Sequence, residues 1–438
     1  MQLAERIEIK PTNAQEQVLY EISEKCRLIY NYALAERLKA LNEGRQLTYI
    51  DQQNSLPKIK KTYSAYKIVH SKTLQYAMKE LDSNFRSFRR RAKKDKNASL
   101  PKYKSKYKFT TFTYNQSGFK LQNGKIILSQ FLNDTELAFE VPKDIWQKRI
   151  RQVAISKKKR KYYMSIIYDI DEKEYRDNGI YAAIDLGIDN IVASIDTNAN
   201  IFIRKNKRPD KYWEKKIEKV QKAQAHCRRG SRRYNMFAKK IAFMKAKMSN
   251  QIKDFQHFES KKFVEHTNAN TIIIGRLSSK EMSSNKSNIK SERSLHRALQ
   301  NTGTINRFAS FLTYKAKLIG KKVVEIDESN TTKMCHVCLK VHDMKLSDRL
   351  MECECGNRIE RDTNSAINIM ERYLSLNAPV TGLLAFASNL RKTGLQVNPN
   401  LLNEEGCRKF AEMHSNSQKG LLRAGIPPTS SAERTRTQ

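Results

Sequence analysis

The sequence predicts a multidomain α+β protein, and three features carry that prediction. Apolar residues recur at helical spacing over 14–41 and again over 71–92. Residues 100–170 switch to alternating, β-forming text. From 180 to 373, strand-like and helix-like runs alternate, interrupted by a cluster of cysteines. The chain has 438 residues, room for two to four compact units.

Composition narrows the partners. Lysine and arginine outnumber acids 83 to 45, a formal net charge of +38 with a pI of about 9.9. Such an excess repels itself and attracts polyanions, so nucleic acid is the expected partner. No run of 18 apolar residues exists, and the opening MQLAERIEIK lacks an apolar signal core. A membrane is therefore not expected, and a cytoplasmic location is.

Taken in order, LAERIEIK (3–10) reads as a first strand. Asn13 or Thr12 is placed to cap the helix that follows, with Val18, Leu19, Ile22, Cys26, Ile29, Tyr30, Ala33 and Leu34 on its apolar face. A second helix, 71–92, carries Leu74, Ala77, Met78, Leu81, Phe85 and Phe88 on one side. It ends in a basic run that includes Arg89, Arg90 and Arg91, a candidate phosphate contact. Lys102 and Lys104 lie in a stretch where lysines alternate with Tyr and Phe, as on surfaces that grip a backbone and stack on bases. Residues 151–170 read as a hairpin whose turn, Lys157-Lys158-Lys159-Arg160, is wholly basic. After a polar linker, IYAAIDLGIDNIVASID predicts a strand, a Gly turn and a second strand. Residues 210–266 predict a basic helical pair broken near Gly230, and TIIIGRL (271–277) a core strand. Residues 278–304, rich in Ser, Asn and Lys, read as a mobile loop. An amphipathic helix follows, then a strand at 321–327. Beyond Tyr373 the periodicity fades, and 375–438 is expected to be a weakly ordered tail.

The chemistry concentrates in 321–370. Cys335 and Cys338 form one C-x-x-C pair; Cys353 and Cys355 form a C-x-C pair. Two thiolate knuckles on a short hairpin give the tetrahedral sulfur site that structural Zn²⁺ accepts. The other three cysteines are scattered and read as plain thiols. Acids flank the ribbon: Glu325, Asp327 and Glu328 before it, Asp362 after it. Metal-dependent nucleases bring carboxylates together from distant parts of a chain. Upstream, Asp185 lies inside an apolar strand, where an unpaired carboxylate is costly and a metal ion is the best reason for it.

Together these residues resemble TnpB, the RNA-guided nuclease family of insertion sequences, ancestral to the type V CRISPR effectors. The resembling text is PTNAQEQVLYEISEKCRLIYNYAL, SKTLQYAMKELDSNFRSF with LPKYKSK, AAIDLGIDN, and TYKAKLIGKKVVEID followed by the cysteine pairs and RDTNSAINI, spanning roughly 5–373. The resemblance implies an RNase-H-like (RuvC) α/β nuclease domain at 173–334 and 359–374 with an inserted zinc ribbon at 335–358. It implies an N-terminal β-barrel wedge domain, 1–12 and 100–172, interrupted by a helical recognition domain at 13–99. It also implies a guide RNA from the element's end and cleavage of double-stranded target DNA beside a short adjacent motif.

One position departs from that pattern. Many relatives place a glutamate at the end of the strand written here as IIIG, where this chain has Gly275-Arg276-Leu277. Either the nuclease is dead and the chain is a guided DNA-binding repressor, or the glutamate has moved to the Glu328-Ser329-Asn330-Thr331-Thr332 segment, as in a variant of the family. Retention of Asp185 and Asp362 favours the second; Glu281 is a further candidate. The expected site is then Asp185 bridging two Mg²⁺ (or Mn²⁺) ions, with Glu328 on one and Asp362 on the other, and Arg361 touching phosphate or orienting Asp362. A compact type V CRISPR effector is the cousin reading. Oligomeric state and the motif-reading residues are not legible.

Overall fold

The computed structural model describes residues 1–93, 95, 97–158, 160–275, 304–344 and 348–423. They fall into two compact units, Met1–Asp171 and the chain from Glu172 onward.

The first unit threads helices between strands. β1 (Gln2–Ile9) is followed by α1 (Asn13–Asn42), α2 (Tyr49–Thr62) and α3 (Ser71–Ala92). Thr12 caps α1 in a reciprocal box with Gln15, as its Thr-x-x-Gln spacing allows. The strands are β2 (Phe112–Asn115), β3 (Phe119–Gln122), β4 (Lys125–Leu128), β5 (Leu137–Glu140), β6 (Ile150–Lys158) and β7 (Lys161–Asp169). They make one sheet in the order β1-β7-β6-β2 and a second in the order β3-β4-β5. Leu19, Tyr30 and Met78 from the helices share a buried core with Ile126, Val153 and Ile166 from both sheets. The sequence did not anticipate α2, because Pro57 lies inside it and it buries only Gln52, Leu56 and Ile59.

The second unit is built on a five-stranded sheet: β8 (Tyr181–Asp185), β9 (Asn190–Asp196), β10 (Ile201–Lys205), β11 (Thr271–Gly275) and β12 (Lys322–Ile326), in the order β10-β9-β8-β11-β12. β8, β11 and β12 are parallel; β9 runs against β8, and β10, antiparallel to β9, points the same way as the other three. Between β10 and β11 stand α4 (Pro209–Ala225) and α5 (Arg232–His266), the helical pair expected around Gly230. α6 (Thr304–Leu318) leads into β12; residues 278–303 of the expected loop, with Glu281, lie outside the described residues. The ribbon hairpin, β13 (Leu350–Glu352) and β14 (Arg358–Glu360), precedes α7 (Arg361–Asn377).

Strand alternation sorts the sheet's two faces. Ala182, Ile184, Ile272 and Ile274 pack with Phe263, Phe308 and Leu312 on one side. Ala183, Ile195 and Ile273 pack with Ile367 and Met370 of α7 on the other. The odd-numbered side of β8 therefore faces α7, which puts Asp185 on the same face as Asp362.

The expected weakly ordered tail is corrected by the structure through Arg423. α8 (Val380–Lys392) and α9 (Glu404–Arg423) follow α7, and Leu383, Phe386, Leu390, Leu401 and Phe410 are all buried in the α7 side of the core. The α7 face of the sheet needs a second layer to cover it, and these helices supply it. The part of the tail from 424 lies outside the described residues.

Candidate active site and metal centre

Three parallel strands deliver the acids to one edge of the sheet. Asp185 ends β8. Ile274 of β11 pairs with Ile184, so Gly275 is its next neighbour. Gly275 in turn pairs with Ile326, and Glu328 lies two residues past the end of β12. All three positions thus lie at the carboxyl end of the strands, where open α/β sheets bind their ligands. Asp362 arrives from the first turn of α7, where the helix dipole favours a carboxylate.

Gly275 and Glu328 are locked together sterically. A Cβ built on Gly275 would lie 2.0 Å from Glu328 Oε2, 2.8 Å from its Cβ and 2.9 Å from its Cδ. The Glu328 side chain therefore occupies the space that a side chain at 275 would fill. Glycine at the end of β11 is what lets the glutamate approach from the neighbouring loop. Asn330 has φ of +64°, a left-handed turn that Asn tolerates better than a bulky residue.

The acids feel one another. Burial, then the nearby Asp362 and Glu328, push Asp185 up to about 8, against the opposing pull of Arg361 and a hydrogen bond from Ser365. Burial and Asp327 push Glu328 up to about 7. Asp362 is 5% exposed and held on both oxygens. Asn190 Nδ2 donates to Oδ2 at 2.8 Å, and Arg361 donates to Oδ1 from Nε at 3.2 Å and from Nη2 at 3.1 Å. Arg361 also reaches the Asp348 carbonyl at 2.9 Å, so it orients the aspartate and ties it to the ribbon. Glu325 is exposed, and Asp327 accepts hydrogen bonds from Ser329; neither is placed with the three acids.

The cysteines meet as their spacing predicts. Sγ of Cys335 lies 3.8 Å from that of Cys355, and Cys338 lies 3.4 Å from Cys353. All four sulfurs lie within 4.8 Å of one another, and among the described residues this is the one group of three or more His, Cys, Asp or Glu ligand atoms gathered so closely. A tetrahedron with metal–sulfur bonds of about 2.3 Å has edges of about 3.8 Å, so the cluster fits a structural zinc. Desolvation and then the neighbouring thiols push Cys355 up to about 12, a repulsion that a cation would relieve. His336, inside the first knuckle, is fully buried. Its backbone and Nδ1 meet Asn364 Oδ1 at 3.1 and 2.9 Å, and Nε2 meets the Gln396 carbonyl at 3.0 Å. Nothing in the chain's own text singles out His336, or Ser365 beside the acids. Asn190 was within the quoted AAIDLGIDN text, but its role emerges only from its contact with Asp362.

The basic candidates divide. Arg89, Arg90 and Arg91 are exposed at the end of α3, and Lys102, Lys158 and Arg160 are exposed as well. Lys104 is committed locally, 2.7 Å from Glu80 and over the Tyr30 ring. Lys157 donates to Tyr162 at 2.7 Å. Lys159 lies outside the described residues. No helix among the described residues is long and apolar enough to cross a membrane.

Comparison with known proteins adds the family. Residues 306–369 match the model described as "Cas12f1-like, TNB domain", 165–286 the "Probable transposase" model, and 1–46 a "Helix-turn-helix domain" model. A Streptomyces pristinaespiralis protein named "Putative RNA-guided DNA endonuclease" is 26% identical over 379 residues, 85% of this chain and 90% of its own. "TnpB-like protein L79" of Acanthamoeba polyphaga mimivirus is 36% identical over 129 residues, 28% of this chain and 23% of its own. The chain in a cryo-EM structure of a Cas12f1–sgRNA–target DNA complex aligns with a TM-score of 0.56 at 15% identity, over 82% of this chain and 83% of that one; the two share a mixed α/β multidomain fold. The ordered motifs, the four-cysteine cluster and these matches together support a TnpB-family protein.

Proposed function

We propose that this protein is a transposon-associated, RNA-guided DNA endonuclease with a RuvC-type site at Asp185, Glu328 and Asp362. The observation that carries the reading is the interlock at Gly275: the acid missing from the end of β11 is replaced, in the same space, by the side chain of Glu328. A dead site would be under no constraint to keep glycine beneath a glutamate and two aspartates around it.

The residues fit divalent ions. Asp185 and Glu328 hold their protons up to about 8 and 7 because like charges and burial oppose ionisation, and a hard cation relieves both. The three carboxylates do not form one close cage. Asp185, Glu328 and Asp362 would supply the hard oxygen ligands that hold such ions. Two Mg²⁺ (or Mn²⁺) ions bound there would supply an activated water and neutralise charge on the scissile phosphate and the leaving oxygen. Asn190 and Arg361 fix the Asp362 carboxylate so that it does not have to reorganise as the phosphate arrives. The zinc ribbon, hydrogen-bonded to α7 through His336 and Asn364, stiffens the approach to the acids.

Sequence specificity would come from pairing of the target strand with a guide RNA from the element's end, and the protein would read only a short adjacent motif. The exposed cations at 89–91, 102, 158 and 160 offer phosphate contacts for that RNA or for the target duplex.

The test is guided cleavage of a plasmid bearing a randomised adjacent motif, using protein with its copurified RNA and Mg²⁺. The wild type is expected to cut, and Asp185→Asn, Glu328→Ala and Asp362→Asn to bind the target without cutting. A wild type that binds guided targets and cuts none is a repressor. A Glu328→Ala protein that cuts normally removes the relocated acid from the site.

A further inference from the structure

An acid at the end of a strand is held by the hydrogen-bond ladder of its sheet. Glu328 is not: the β12 ladder ends at Ile326, and the backbone carbonyls of 327–329 leave the sheet without strand partners. α7 and the loop's own Thr331 supply other donors. Arg372 Nη1 donates to the Asp327 carbonyl at 2.7 Å, and its Nη2 donates to the Ser329 carbonyl at 3.1 Å, one on each side of Glu328. The Glu328 carbonyl itself accepts from Thr331, from the backbone N–H at 3.1 Å and from Oγ1 at 2.9 Å. Thr331 is 1% exposed and is held in turn by α7: Ser365 Oγ reaches its hydroxyl at 3.2 Å, and Asn368 Nδ2 its carbonyl at 2.8 Å. Three successive carbonyls are thus drawn toward donors, and the Glu328 side chain is left pointing at Gly275.

We infer that Arg372 is a positioning residue for the relocated glutamate, a fork on α7 that does for a loop acid what the sheet does for a strand acid. The inference rests on the assignment of Glu328 as an ion ligand. Only a planar fork spans both carbonyls; lysine, with a single ammonium, reaches one at a time. Arg372 and Asp362 belong to the same helix, so one rigid element sets both acids and fixes their separation.

The test uses the full-length, zinc-loaded protein. Mn²⁺ binding by titration calorimetry is read beside the Mg²⁺ dependence of guided cleavage. Arg372→Met is expected to weaken Mn²⁺ binding about 10- to 100-fold, the usual effect of losing a group that orients a ligand. It should shift cleavage to higher Mg²⁺, with target binding and zinc content unchanged. Arg372→Lys should recover part of the loss, and it carries the test alone if the methionine variant does not fold. The decisive arm is the double variant: adding Arg372→Met to Glu328→Ala should weaken Mn²⁺ binding no further, because the residue it positions is gone. An equal further loss in the double variant, or wild-type Mn²⁺ affinity in both single Arg372 variants, overturns the inference. Failure of the underlying assignment looks different, since Glu328→Ala would then itself leave Mn²⁺ binding unchanged.

Discussion

Gly275→Ala adds a single methyl group and tests the whole arrangement. The new Cβ would fall 2.0 Å from Glu328 Oε2, and a side-chain rotation could relieve that contact alone. It would also fall 2.8 Å from Glu328 Cβ, which rotation does not move. Relief requires the backbone at 328 to retreat, and that backbone is fixed by Arg372 and Thr331. The cost is about 1–3 kcal/mol of overpacking. The carboxylate must shift by the order of 1 Å, a displacement that can lower a rate about 10²-fold. The assay is guided plasmid cleavage at saturating Mg²⁺, with target binding measured in parallel by electrophoretic shift. Binding should be unchanged and cleavage about 100-fold slower. Cleavage within about threefold of wild type would refute the reasoning, because it would mean that the glutamate does not need the space at 275. Moving the acid back, as Gly275→Glu with Glu328→Ala, should recover part of the activity for the same geometric reason.

The paired acids and the C-terminal helices supply two further tests. Asp185 and Glu328 have folded-state pKa values raised to about 8 and 7, so without divalent ions the stability they contribute is full below about pH 4 and is lost as pH rises through 7 to 8. Ions must displace those protons below that range; Mg²⁺ should therefore raise the Tm of zinc-loaded protein more at pH 8.5 than at pH 6, and cleavage should climb with pH and level off above about 8. An equal shift in Tm at both pH values would contradict the raised pair. The second outcome concerns the C-terminal helices. A chain ending at Ala378 loses Leu383, Phe386, Leu390, Leu401 and Phe410, each at most 3% exposed. At about 1.5–3 kcal/mol per buried side chain, the loss rivals the whole stability of a domain. Such a protein should fail to show a cooperative melt; one that melts like wild type would show that α8 and α9 are dispensable.

Much of the scaffold was legible along the chain. Helix α1 announced itself through about eight turns of apolar spacing and its Thr12 cap; β8 and β11 did so through unbroken apolar runs, as strands buried on both faces carry. The misses have local causes. α2 has a weak apolar face and an internal proline. α8 and α9 follow a loss of periodicity, because their burial depends on a sheet face made by strands nearly 200 residues earlier. Lys104 and Lys157, candidate nucleic-acid contacts, are held by Glu80, Tyr30 and Tyr162, and the two partners of Lys104 lie far from it along the chain.

The same division runs through the proposed site. Ligand type and spacing are short-range properties, so two cysteine pairs suffice to announce a zinc ribbon, and an aspartate inside an apolar strand marks itself as a candidate ion ligand. Which glutamate joins the two aspartates in the proposed site is decided differently. Glu325, Asp327 and Glu328 are nearly indistinguishable as text, and parallel pairing of β11 with β12 is what sets Glu328 against the empty position at Gly275. The donors that hold it, Arg372 and Thr331 with Ser365 and Asn368 behind them, meet across a helix and a loop tens of residues apart. Hydrogen bonds of that kind depend on distances of a few tenths of an ångström, which only the packed chain defines.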